Sequence, residues 1–420
     1  MKSFYTLVLI IFILISPQIL FSQPIKVEIK KEKNKYVLYR SGTPYFIKGA
    51  GSFEYYDLLK AHGGNSVRLW NTDNAKYYLD KAQEQELTVT LGLFIGSQLN
   101  GFDYNNEDAV KNQFSYIKSE VLKYKDYPAL LMWGIGNELN LNEKNKKVWK
   151  AINDIAKMIH EIDPNHPTVT TFAGVPKDLM PYIKKHCPDL DLIGINAFKD
   201  LPNIPYTLEE VSWNKPYIIS EWGATGYWES DLTSWNAFIE ENSTQKVLNC
   251  KRNYEYLLKR NKGLCLGSYV FIWGNKDEGT HTLFSFFLSS GSPTSMVDLM
   301  NYLWTGNWPE NQAPVIKNLT LERKQAQHNI ILQPGKLIKA RVESSDPDKD
   351  ELNIKWAFFK DSEIPLKPGE YIEHSFKSSG PDISFQAPKE GAYRLFVYVF
   401  DKDYKVATAN IPFLIKSSIK

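Results

Sequence analysis

Between residues 45 and 304 the chain repeats one pattern eight times: a short β-rich run, then a longer amphipathic or charged stretch. The runs are 45–51, 65–70, 88–95, 130–138, 168–174, 190–198, 216–223 and 267–274. Strands alternating with helix-length segments make βα units, because a parallel neighbour needs a long crossover that an α-helix usually supplies. The stretch 144–162 shows the helical period most clearly, with Val148, Ile152, Ile155 and Ile159 at spacings of three and four. It should stop at Asp163-Pro164. Eight such units predict a closed (β/α)8 TIM barrel, whose working face is the C-terminal end of the strands.

The last barrel helix is expected around 294–303, followed by an irregular link over 304–314 that collects Gly306, Pro309, Asn311 and Pro314. From Val315 onward the runs are short and β-like, as at 393–400 and 406–414, with Asp346-Pro347-Asp348-Lys349-Asp350 as a turn cluster. That pattern predicts a small all-β immunoglobulin-like sandwich of roughly a hundred residues. With an apolar pattern of its own and a proline-bounded link, it reads as detachable. A chain ended near Pro314 is therefore expected to remain active.

Met1 and Lys2 precede an apolar run over 7–15, a break at Pro17 and the small or polar pair Ser22-Gln23, the layout of a secretory signal peptide. The uninterrupted run is shorter than the roughly 20 residues of a spanning helix. The organisation read from sequence is a signal peptide over 1–22, a barrel over 23–312 and a sandwich over 313–420. The mature chain is expected in a periplasm or outside the cell, with no membrane span, as a monomer. A net charge of +2 lacks the basic excess of a nucleic-acid binder. Aromatic residues reach 14%, with eleven Trp and 24 Tyr; core packing takes up more than half of them, and stacking faces for sugar rings account for the rest. Cys187, Cys250 and Cys265 show no paired metal-ligand spacing. They admit a Cys250–Cys265 bridge but read better as buried free thiols.

Two runs end on carboxylates. Trp133-Gly134-Ile135-Gly136-Asn137-Glu138 closes the fourth, and the seventh ends in Ser220-Glu221-Trp222-Gly223. A carboxylate at one strand end is more often a surface or salt-bridged group. Two at the same barrel mouth are the minimum equipment of glycoside hydrolysis, in which one protonates the leaving oxygen while the other attacks or activates water. An Asn-Glu pair after the fourth strand and a Glu after the seventh resemble the signature of glycoside hydrolase clan A. The resemblance extends to Asn65-Ser66-Val67-Arg68-Leu69-Trp70 at the second strand and Phe271-Ile272-Trp273-Gly274 at the eighth. It is nearest to family 2 catalytic barrels without their usual N-terminal sandwiches. Family 5 and the fungal-type β-1,3-glucanosyltransferases are more distant.

The resemblance implies that Glu138 is the acid/base and Glu221 the nucleophile of a retaining reaction. It further implies that Asn137 bonds the substrate 2-hydroxyl, that Arg68 orients Glu221, that Asn196 belongs to the substrate site, and that Trp273 forms a floor under the reacting sugar. Ordinary core packing is the competing reading of Trp273, and a bridge between structural carboxylates that of Arg68. Two positions depart from the pattern. Phe198 stands where many clan members carry a Tyr whose hydroxyl touches the nucleophile, so that hydroxyl comes from elsewhere, such as Tyr227, or is missing. The third strand ends in Phe94-Ile95-Gly96-Ser97 without the histidine of many family 5 members.

In the sandwich, Asp346, Asp348 and Asp350 read as a solvated acidic turn in preference to a calcium site, and Trp356 and Tyr371 as core residues in preference to glycan platforms. The expected activity is a retaining β-glycoside hydrolase or transglycosylase on a β-linked glucan-type or mannan-type chain, with no metal and no organic cofactor. A non-catalytic glycan-binding protein on the same scaffold is the alternative. It has no need of two carboxylates.

Overall fold

The computed structural model describes residues 24–361, 373–375 and 380–417; the expected signal peptide and Tyr371 lie outside them. All eight β-rich runs are strands. After an N-terminal three-stranded sheet of β1 (Val27–Glu32), β2 (Lys35–Arg40) and β3 (Thr43–Tyr45), the barrel strands are β4 (Ile47–Gly51), β5 (Ser66–Leu69), β6 (Thr88–Leu93) and β7 (Leu130–Asn137). They continue as β8 (Thr168–Ala173), β9 (Leu192–Asn196), β10 (Tyr217–Trp222) and β11 (Cys265–Val270). These eight pair in parallel and close, β11 returning to β4. Helices such as Lys147–Ile162 bury the stripe Val148, Ile152, Ile155 and Ile159 against them. That helix stops at Asp163, before Pro164, where the alternative would place a proline ring against the preceding turn.

The N-terminal sheet was not visible in the pattern. Val27 and Leu38 pack with Ile47, Leu131, Leu192 and Ile218, closing the barrel at the N-terminal ends of its strands. Its strands are mostly half-exposed, with polar residues at most positions, so apolar content alone marks them poorly.

The final barrel helix is Ser295–Thr305. Beyond it, β12 (Val315–Leu321), β14 (Leu337–Ser345) and β17 (Asp382–Gln386) form one sheet. β13 (Ile331–Leu332), β15 (Asn353–Lys360), β16 (Glu373–Ser375), β18 (Gly391–Phe400) and β19 (Val406–Ile415) form the other. Alternate residues of both sheets meet in one core, for example Ile338, Val342 and Phe385 with Leu395, Val397 and Phe413. Trp356 is in that core, 3% exposed, with its indole N–H donated to the Gly380 carbonyl. The acidic turn is held by its own backbone: Asp346 Oδ1 accepts the amides of Asp348 and Asp350. Among the described residues no group of three His, Cys, Asp or Glu is arranged for a metal ion, and no helix is long and apolar enough to cross a membrane. The three cysteines are buried free thiols.

Barrel and sandwich share buried polar contacts. Ser243 pairs with Thr408 at 2.9 Å, and Lys405 reaches Asp298 of the final barrel helix at 2.6 Å. Glu240 Oε2 accepts from Asn410 of β19 at 2.7 Å while its Oε1 holds Lys246 at 2.6 Å. Glu240 and Lys246 are both buried. These contacts seat the sandwich on the segment that follows β10 and on the final barrel helix.

Candidate active site

At the C-terminal mouth of the barrel lies a cleft of about 790 Å3, lined by Glu138, Glu221, Asn137, Asn196, Phe198, Tyr227, Trp228, Phe271 and Glu278 among others. A second cavity, of about 340 Å3, opens beside the N-terminal sheet; its single carboxylate, Glu209, is tied to Lys262 at 2.5 Å. Of these two, the first alone brings two carboxylates together, and it does so at the strand ends.

Backbone geometry sets Glu138 at the cleft. β7 ends at Asn137, and Glu138 adopts a left-handed φ of 52° before the short helix Leu139–Asn142. For a residue other than glycine that conformation is costly, and it persists only where the surroundings hold it. Here the Glu138 amide donates to the Thr171 carbonyl, and the Asn140 side chain clasps Ala173 of β8 through both its carbonyl and its amide at 3.0 Å. Two residues earlier Gly136 has φ 74°, and a Cβ there would meet Leu139 at 2.9 Å. Asn140 was not singled out from sequence; an Asn two residues after a candidate acid carries no signal until β8 is known to lie beside it.

Glu221 is the penultimate residue of β10 and is 8% exposed. Its Oε1 accepts from Arg68 at 2.6 Å and from the Trp70 indole at 2.8 Å. Oε2 has no donor among the described residues, so one oxygen is anchored and the other faces the cleft. Arg68 donates also to the Ser220 carbonyl at 3.0 Å and to Asn137 Oδ1 at 2.6 Å. That bond assigns the Asn137 carbonyl to the arginine and leaves its amide NH2 for a ligand. Asn196 is fixed in the same way: Ser220 Oγ donates to its carbonyl at 2.8 Å, and its amide donates to Glu138 Oε1 at 2.9 Å.

The two carboxyls thus sit in unlike surroundings. Burial first, then the negative charge of Glu221, pushes the Glu138 carboxyl above its ordinary range, with Glu278 adding to the rise and the Asn196 bond and Arg68 opposing it. Glu221 has the Arg68 guanidinium in contact at 2.6 Å. One carboxyl inclined to hold a proton beside one paired with a cation is the arrangement that acid catalysis together with nucleophilic attack requires.

One expectation changes and one alternative is decided. Trp273 is not in the cleft: it is fully buried, donates its indole N–H to the Tyr55 carbonyl at 3.0 Å, and packs on Phe287 and Trp304. The chain leaves β11 at Val270, so Phe271 and Ile272 line the cleft and Trp273 turns toward the final barrel helix. Tyr227 lines the cleft but makes no hydrogen bond to Glu221 among the described residues. The donors to Glu221 are Arg68 and Trp70, both from the second-strand motif. Phe198 lies in an apolar cluster with Phe271 and Phe284, where a hydroxyl is not needed for packing. Replacing Trp70 by Phe removes a donor to a charged oxygen, a bond worth about 1.5 to 3 kcal/mol. Steady-state kinetics should show kcat/KM falling about 10- to 100-fold, and an unchanged value would mean that the bond to Trp70 does not act in the reaction.

Residues 57–248 match the glycosyl hydrolases family 2, TIM barrel domain. Over that stretch, just under half of the chain, the barrel is similar to the catalytic barrel of glycoside hydrolase family 2. Among solved structures, the β-glucuronidase of Ruminococcus gnavus is similar at 14% identity over 67% of this chain and 53% of that one, with a TM-score of 0.51. The same enzyme in complex with C6-substituted uronic isofagomine gives 14% over 67% and 52%, with a TM-score of 0.50. The chain spans about half the length of these structures, and at that identity the likeness is one of fold. No curated protein sequence matches the chain. In this chain the C-terminal sandwich and the small N-terminal sheet pack on the barrel.

Proposed function

We propose that the protein is an exported, retaining β-glycoside hydrolase or transglycosylase acting on a neutral glucan-type or mannan-type chain. The observation that carries the reading is the unlike pair in one cleft: Glu221 anchored through one oxygen by Arg68 and Trp70, Glu138 held by a single amide with its carboxyl raised. Glu138 protonates the glycosidic oxygen while the free oxygen of Glu221 attacks the anomeric carbon, giving a glycosyl ester. Glu138, now a carboxylate, takes a proton from water or a sugar hydroxyl that opens the ester. The amide of Asn137 is placed to donate to the sugar beside the anomeric carbon. A non-catalytic binder has no use for this difference between two carboxyls.

Charge supports a neutral substrate. The cleft is lined by Glu138, Asp200, Glu221, Glu229 and Glu278 against a single cation, Lys276, which is 3.4 Å from Glu278. A uronate would enter a field of its own sign. Assay of the mature chain on β-glucans, mannans and aryl β-glycosides, with product stereochemistry followed by NMR, tests this: β-configured initial product from a neutral glycoside supports it, and α-configured product or activity confined to uronides sinks it.

The alkaline limb of kcat/KM reports loss of the Glu138 proton, and the raised carboxyl holds that limb at higher pH. Glu278→Gln removes a negative neighbour that raises Glu138, so the limb should move to lower pH. Asn196→Ala removes the bond that favours the carboxylate, so it should move to higher pH. Shifts of the same sign in both variants would show that the limb belongs to another group.

A further inference from the structure

We propose that Arg394, a residue of the sandwich, is a positioning residue for the cleft of the barrel. This rests on the functional reading above and extends it to a part of the chain outside the barrel. Arg394 lies in β18 and is fully buried. Its Nη1 donates to Asn410 Oδ1 at 2.8 Å, and its Nη2 is shared between Asp361 at 3.1 Å and the carbonyl of Phe238 at 3.0 Å. Its guanidinium also lies over the Phe238 ring, 4.5 Å from the centroid. Phe238 belongs to the loop after β10, so one sandwich side chain grips a barrel loop by both backbone and ring.

From Phe238 the contact runs directly to the cleft. Its ring is 6.0 Å from that of Tyr227, which lines the cleft, and it shares an apolar cluster with Phe198, Phe271 and Ile272, which line it too. The loop after β11 is held at the same junction. Glu240 accepts from Thr280 at 2.5 Å, from Thr282 at 2.8 Å and from Asn410, the residue that Arg394 itself holds. Two positions before Thr280 is Glu278, whose charge raises both Glu138 and Tyr227. The chain Arg394, Asn410, Glu240 and Thr280 therefore ties the sandwich to the wall that faces the acid/base.

A buried guanidinium is a poor way to stabilise a sandwich, since well-packed apolar residues of similar volume usually serve as well or better. Its retention is explained by the geometry it imposes on the Phe238 loop. Arg394→Met keeps much of the volume and removes the grip. With Val342→Ala as the control, a cavity in the same sandwich core but in the sheet that does not carry Arg394, both variants are assayed well below their melting temperatures. Arg394→Met should lower kcat/KM about tenfold or more, chiefly through KM, the scale expected when binding groups are displaced. Hydrogen exchange should accelerate over 227–240 and 276–284. Val342→Ala should lower Tm while leaving both readouts at wild-type values. Equal behaviour of the two variants, or unchanged exchange in Arg394→Met, overturns the proposal. If Arg394→Met does not fold, Phe238→Leu is held to the same expectations. If the wild-type chain turns over no glycoside, the functional reading falls, and the exchange data alone decide the role of Arg394.

Discussion

Glu221→Ala is expected to abolish turnover of every β-glycoside, a fall on the order of 10⁵-fold or more, as when a covalent nucleophile is removed elsewhere. Neither a better leaving group nor an external nucleophile should restore the retaining reaction, because the step that is lost is the first attack. Glu138→Ala should behave differently on a dinitrophenyl β-glycoside. That leaving group needs little protonation, so the ester on Glu221 still forms and accumulates for want of a base. Azide needs no deprotonation, and adding it should restore turnover with a β-glycosyl azide, the product of two inversions. An α-glycosyl azide from Glu138→Ala would reverse the two roles. A crystal structure with bound glycoside should place the two carboxyl groups about 5 to 5.5 Å apart, the separation of a retaining pair, whereas roughly 6.5 to 9.5 Å would admit a water and imply inversion.

The barrel was legible because each buried strand is a near-continuous apolar run, and a parallel sheet covered on both faces leaves that mark. Glu138 and Glu221 were legible because a charge that closes such a run is conspicuous. The residues that orient them were less so, because their work depends on neighbours far away in sequence. Trp70 was visible as part of a motif, yet its bond to Glu221 spans 151 positions. Asn140 acts on Ala173 across 33. Trp273 misled because a tryptophan at the end of the eighth strand has two destinations, and a turn after Val270 sends it to the core. The pattern of the sandwich announced a fold with its own core, which it has, but said nothing about the face it presents to the barrel.

That face bears on what happens when the chain is ended after Pro314. An independent module predicts an active barrel; the interface predicts the reverse. The truncated chain would lose Arg394 from the Phe238 carbonyl, Asn410 from Glu240, Thr408 from Ser243 and Lys405 from Asp298. Three of those four barrel partners belong to the segment 238–243, between Tyr227 and the helix Ser243–Arg260. The ring of His281, in the loop after β11, would lose the aromatic surface of Phe359, Phe396 and Tyr398. Removing one partner of a buried charged pair costs about 3 to 5 kcal/mol when the other stays buried. Against a total stability of roughly 5 to 15 kcal/mol, the barrel escapes that cost only by letting water in at the base of the same two loops. The expected result is therefore either an insoluble chain or a soluble barrel whose loops over 227–242 and 276–294 exchange freely. In the soluble case kcat/KM on an aryl β-glycoside should fall about 100-fold or more, since displacement of positioning groups by about 1 Å already has effects of that size. Expression of the truncated chain, with circular dichroism to verify the barrel and the same kinetic assay, measures it. A soluble truncation with wild-type kcat/KM would show that the barrel holds its own cleft and that the buried contacts with the sandwich are dispensable.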